Sequence, residues 1–198
     1  MSDTTSDGGS PPDTAGYAGR IPVTKRDYVV AVYQRKLLGH GSLVLLWGFV
    51  VGFGFLFWLV ERGLDGGASG HALLWPIPGK IEVGIPGTYD GWRMAHMEGV
   101  VNGFGLWIVA MILPILPFGA AGVRRSAQAM MVVAWTIVVA STLDPLFENS
   151  RGLRMGLNVT NTMAFLLFYV GVGAVCVLVV VIAWKSLSTA VPKPVLDD

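Results

Sequence analysis

The segment Gly91-Trp92-Arg93-Met94-Ala95-His96-Met97-Glu98-Gly99-Val100-Val101-Asn102-Gly103 brings an imidazole, a carboxyl and an amide into an apolar run. Polar side chains in such a place cost free energy unless they bind something or pair with one another, so they are candidates for function. On a helix, Gly99 and Gly103 lie three and seven residues past His96, and their missing side chains leave a smooth strip beside the ring. Such a strip admits a flat macrocycle whose iron takes the imidazole nitrogen, since His is a usual proximal ligand of haem. The same glycines also serve close helix packing, and the histidine can equally be a satisfied polar group.

Three further groups complete the candidate set. Asn102 lies about 120° round the helix from His96, where its amide can donate to an oxygen on the iron or tie two helices together. Glu98 can act as acid or base, snorkel to water, or pair with Arg93. Asp144, in Leu143-Asp144-Pro145-Leu146-Phe147-Glu148-Asn149, is expected at the end of the third helix on the same side as His96. The proline after it fits a helix stop, so capping is its other role. A second axial ligand from His40, in Gly39-His40-Gly41, would make a low-spin electron-transfer haem, but topology sets it near the opposite membrane face, about 30 Å from His96. It is expected to be an interfacial or helix-contact residue, and His71 a solvated one. A single histidine ligand leaves the sixth iron position open.

These groups are held by a chain of 198 residues, 53% hydrophobic, with a mean hydropathy of +0.60. Soluble domains average nearer ~45–50% apolar and ~25% charged, so this is a membrane protein. Four stretches reach the roughly 20 apolar residues a spanning helix needs: Leu37 to Val60, Val100 to Gly122, Ser126 to Leu143 and Leu157 to Trp184. Continuous apolar runs without period-two alternation favour an all-α, four-helix bundle over a barrel. The net charge of +1 says nothing about partners, and without a basic stripe or nucleic-acid motif no nucleic-acid partner is expected. The single cysteine, Cys176, permits no intrachain disulfide, no Cys-based metal site and no C-x-x-C-H attachment, so a haem here is held non-covalently.

Residues 1–26 are expected to form a disordered tail, 27–188 the membrane domain and 189–198 a second tail. Nine Lys and Arg residues fall on the side of the termini, among them Lys25, Arg26, Arg35, Lys36, Arg124, Arg125 and Lys185, against five on the other. The positive-inside rule therefore predicts both termini in the cytoplasm. Residues 62–91 are rich in Gly and Pro and are expected to form a long loop over the entrance to the second helix, as a lid or a plain connector. Lys80-Ile81-Glu82-Val83-Gly84-Ile85 alternates well enough for a short extended piece.

Several motifs occur together: Arg35-Lys36-Leu37-Leu38-Gly39-His40-Gly41, Ile85-Pro86-Gly87-Thr88-Tyr89-Asp90-Gly91-Trp92-Arg93-Met94-Ala95-His96, Asn102-Gly103 and Asn149-Ser150-Arg151-Gly152-Leu153. From about Arg35 to Trp184 the chain resembles styrene oxide isomerase, a small four-helix bacterial membrane enzyme. The resemblance implies an inner-membrane homotrimer with ferric haem b between neighbouring subunits, His96 as axial ligand and Asn102 near the substrate oxygen. It implies further that the iron acts as a Lewis acid on an apolar epoxide, which becomes a carbonyl compound by a 1,2-hydride shift. Aromatic faces stabilise an adjacent cation, and Trp92, Phe104, Trp107 and Trp135 are available, with anchoring and packing as their ordinary roles.

The chain departs from that family in two places. An aspartate and a tyrosine that the family places in and after the third helix have no clear match in Ala134-Trp135-Thr136 and Ser141-Thr142-Leu143-Asp144. Glu98 is a carboxylate the family pattern lacks. A Lewis acid beside a carboxylate also suits proton transfer next to a carbonyl, so isomerisation of an unsaturated ketone is the second enzymatic reading. A haem electron-transfer subunit is the non-enzymatic one.

Overall fold

Apolar runs broken by proline and glycine resolve into four helices in the computed structural model: α1 (Lys25–Arg62), α2 (Tyr89–Ile112), α3 (Ala120–Leu146) and α4 (Val159–Ser188). The structure describes residues 24–62, 84–147, 154–156 and 158–189, apart from the side chains of residues 61 and 62. Among the described residues there is no strand. All four helices are long and apolar enough to cross a membrane, as expected of a multi-pass membrane protein. Most of the tail expected over 1–26, most of the 62–91 loop with His71, and the Asn149–Leu153 motif lie outside the described residues.

The second span differs from expectation. It runs from Tyr89 to Ile112, whereas hydropathy alone placed it over Val100 to Gly122. Its start is set by a cap, the Thr88 hydroxyl accepting from the Gly91 N–H, and the following polar residues do not interrupt the helix. Its end is set by Pro114 and Pro117, which lack the N–H a helix needs. Pro114 also leaves the Ala110 carbonyl without its helical donor, and Gln34 of α1 supplies one through Nε2 at 2.9 Å. The Arg26 guanidinium collects the carbonyls of Pro114, Leu116 and Phe118 in the turn that follows. Replacing Gln34 with Ala orphans the buried Ala110 carbonyl, which costs about 1–3 kcal/mol. A lowered melting temperature in detergent is the expected result, and an unchanged melt would show that the carbonyl finds another donor.

α1 starts twelve residues before its apolar run, at a box in which Asp27 N–H donates to the Thr24 hydroxyl while Thr24 donates to the Asp27 carboxylate. α3 ends later than the expected Leu143, continuing through Pro145 to Leu146. Proline removes only one intrahelical bond so close to the end, so Asp144 belongs to the last turn of the helix.

α1 and α2 pack antiparallel, and α3 packs against both, with a core of Leu37, Val44, Leu106, Leu113, Val123, Ala134 and Val138 between them. α4 makes its extended contact with α3, where Gly171 meets Thr136 and Ile137. Small residues let α1 and α2 approach closely. A Cβ on Gly99 would collide with the Cα of Gly48, and one on Gly103 would lie 2.5 Å from Leu45 Cγ. This topology collects Lys25, Arg26, Arg35, Lys36, Arg124, Arg125 and Lys185 at one end of the bundle, leaving Arg93 and Arg154 toward the other.

Candidate functional site

Because α2 begins at Tyr89, His96 stands about 10 Å inside the helix start by helical rise, not at its mouth. Its ring fits against α1 where Gly52 has no side chain; a Cβ there would come within 2.7 Å of His96 Nδ1. One turn away, the Gly48 carbonyl lies 2.9 Å from the same nitrogen. A carbonyl only accepts, so Nδ1 carries the proton and donates it. In the neutral ring Nε2 then holds the lone pair, and no hydrogen bond reaches it among the described residues. An imidazole oriented by a backbone carbonyl through one nitrogen and bare at the other is the arrangement of a metal-ligating histidine.

His40 shows the opposite polarity. Trp135 Nε1 donates to His40 Nδ1 at 3.1 Å, and an indole N–H cannot accept, so the proton of neutral His40 is on Nε2. That tautomer offers no lone pair at Nε2 for a metal. The axial separation of the two histidines is roughly 15 Å by helical rise, shorter than the expected 30 Å because the earlier start of α2 draws His96 inward. His40 is a contact between α1 and α3.

Gly99 and Gly103 do not border an open strip. α1 fills the space beside them, so what the structure shows is the helix-packing role of that spacing. Asn102 points away from His96, being six residues and thus about 120° removed round the helix. Both acceptors of its Nδ2 group belong to Glu98, the main-chain oxygen and Oε2, each at 2.9 Å. The bond is therefore within α2, neither a tie between helices nor a contact with Arg93. Asp144 lies toward the Gly91 end, since Pro145 packs on Gly87 and Gly91, and Glu98 is about 10 Å further along α2. The structure does not bring Asp144 and Glu98 together.

The tryptophans have structural tasks. Trp92 donates to Pro86 O, Trp58 to Gly87 O and Trp107 to Leu38 O. Gly87, at φ +96°, is thereby pressed against Pro145, a backbone conformation and a proximity that only glycine suits. Phe104 stands edge-on to Trp107 and half exposed. The residues that sequence reasoning missed are Gly48 and Gly52. Their signal was present as a second small-x-x-x-small pair, and in the structure Gly48 faces Gly99 while Gly52 faces His96.

No group of three or more His, Cys, Asp or Glu side chains able to hold a bare metal ion occurs among the described residues. A single imidazole donor suits a metal that brings its other ligands with it, as a macrocycle does. With this geometry in view, comparison with known proteins is decisive for the family: the model described as styrene oxide isomerase matches residues 33–187. The chain belongs to the styrene oxide isomerase family. The match runs through all four helices, leaving out of them the first two turns of α1 and the last residue of α4. A styrene-oxide isomerase of Pseudomonas fluorescens is 30% identical over 127 residues, covering 64% of this chain and 68% of that protein.

Proposed function

We propose that this family member is an inner-membrane isomerase in which His96 holds ferric haem b and an apolar aryl epoxide is rearranged to a carbonyl compound. The observation that carries the proposal is the bond from His96 Nδ1 to the Gly48 carbonyl, which leaves Nε2 bare. Haem held there supplies a Lewis acid for epoxide opening and the 1,2-hydride shift. The Gly48 carbonyl orients the imidazole and raises its basicity, while Gly52 makes room for the ring. His40, protonated on Nε2 and displaced along the bundle, would not serve as a second ligand to the haem, which disfavours electron transfer through a bis-histidine haem.

In each copy His96 stands on one side of α2, and Asn102, buried within the copy, stands with Glu98 on another. In this proposal the copies form a homotrimer with the haem between neighbouring subunits. Both amide protons of Asn102 are engaged by Glu98, so donation to a substrate oxygen requires exchange of one of these bonds. The richer cationic end faces the cytoplasm, and both termini with it.

The Glu98–Asn102 bond also supports a second reading, because it holds a carboxylate in place as a base for proton transfer in an unsaturated ketone. Deuterium on the migrating carbon separates the two. Under the hydride shift the label moves intact to the neighbouring carbon, and complete washout into water would reject that step. Glu98→Gln should then change turnover only a few-fold, against the ~10²-fold or greater loss expected of a general base. Asn102→Ala keeps the haem and slows turnover by about 10²-fold, the usual effect of losing an oxyanion donor.

A further inference from the structure

We propose that Arg93 is the cationic partner of the haem propionates and so sets which edge of the macrocycle faces the Tyr89 end of α2. The proposal rests on haem being held by His96. Arg93 precedes His96 by three residues, which places the two side chains on neighbouring turns of one helix side. It is exposed, and among the described residues it has neither hydrogen bond nor ion pair, although Asp90 lies three residues away on the same helix. Arg26, by contrast, donates to three carbonyls and pairs with Asp27. A guanidinium within a spanning helix is costly unless an anion meets it.

Haem b carries two carboxylates on one edge, and those anions face the same cost. An arginine fork binds carboxylate bidentately, the strongest geometry available to either group. No other described cation lies on a turn adjacent to His96. Arg35 stands beside Ala110 and Met111, about 20 Å along α2 by helical rise, and Lys25, Arg26, Lys36, Arg124, Arg125 and Lys185 belong to that same far end. Arg154 precedes α4, whose extended contact is with α3. In the other direction along α2 from His96 come Val100 and Phe104, an apolar surface that suits the vinyl edge. The carboxylate edge is therefore turned toward Arg93.

A chemical double cycle tests this. Full-length haem-free protein in nanodiscs is titrated with haem and with haem dimethyl ester, whose propionates are capped. Wild type is expected to prefer haem by about tenfold or more. In Arg93→Gln that preference should shrink to within about threefold, and Arg93→Lys should restore part of it. An Arg93→Gln protein that still prefers haem as strongly as wild type overturns the proposal, as does one that weakens both compounds equally, the mark of a packing role or of pairing with lipid phosphate. A wild type that takes up both equally overturns it as well, while leaving His96 as ligand. Uptake of neither compound by wild type would remove the haem site itself, and Arg93 with it.

Discussion

Purified His96→Ala protein is expected to be colourless, to retain under a tenth of the wild-type haem and to show no measurable epoxide isomerisation, while keeping its helical circular dichroism. The cause is specific to one nitrogen. His96 Nε2 is the lone pair that no described group meets, and without it no other described group offers a bare imidazole near that position, His40 being in the opposite tautomer. The fold itself loses one hydrogen bond to the Gly48 carbonyl, which is worth only about 0.5–1.5 kcal/mol. Added imidazole should enter the space left by the ring and restore part of the absorption spectrum, which separates lost ligation from lost folding. Wild-type haem content in the alanine variant would refute the assignment.

The second large effect comes from a residue without a side chain. Gly99→Leu should lower the melting temperature in detergent markedly and weaken haem retention at the same time. A Cβ at Gly99 meets the main chain of Gly48, so no rotamer change relieves it and α1 must move away from α2. Overpacking of this kind costs about 1–3 kcal/mol. Here it also pulls the Gly48 carbonyl from His96 Nδ1, so stability and cofactor orientation fall together. Gly39 is the control. A Cβ there would meet nothing within 4 Å, and Gly39→Ala should be neutral or stabilising by up to about 1 kcal/mol through helix propensity. A Gly99→Leu protein with an unaltered melt and unaltered spectrum would show that the contact does not position the imidazole.

The membrane fold was legible in the chain because hydropathy adds residue by residue: four apolar runs gave four helices, with the ends of the third and fourth misplaced by two to six residues and the first helix starting twelve residues before its run. The second span was displaced by about three turns for an equally physical reason. Hydropathy sees transfer out of water, whereas the limits of α2 are set by hydrogen-bonding chemistry, the Thr88 cap at one end and the missing N–H of Pro114 at the other. That shift carried an error in the site with it, since it left His96 too shallow and His40 too distant.

Residue types and spacing are properties of the chain as written, so the membrane character and the helical class could be drawn from them alone, and His96 could be singled out there as a candidate. Which nitrogen of each ring carries its proton could not. That depends on whether a carbonyl or an indole N–H stands within 3.1 Å, and such a neighbour comes from a different helix. Likewise, a glycine pair on α2 reads the same whether a cofactor or another backbone lies against it. Only the packing of α1, with Gly48 and Leu45 filling that space, distinguishes the two, because contact between distant segments is decided when the whole bundle closes and not by either segment's own preferences.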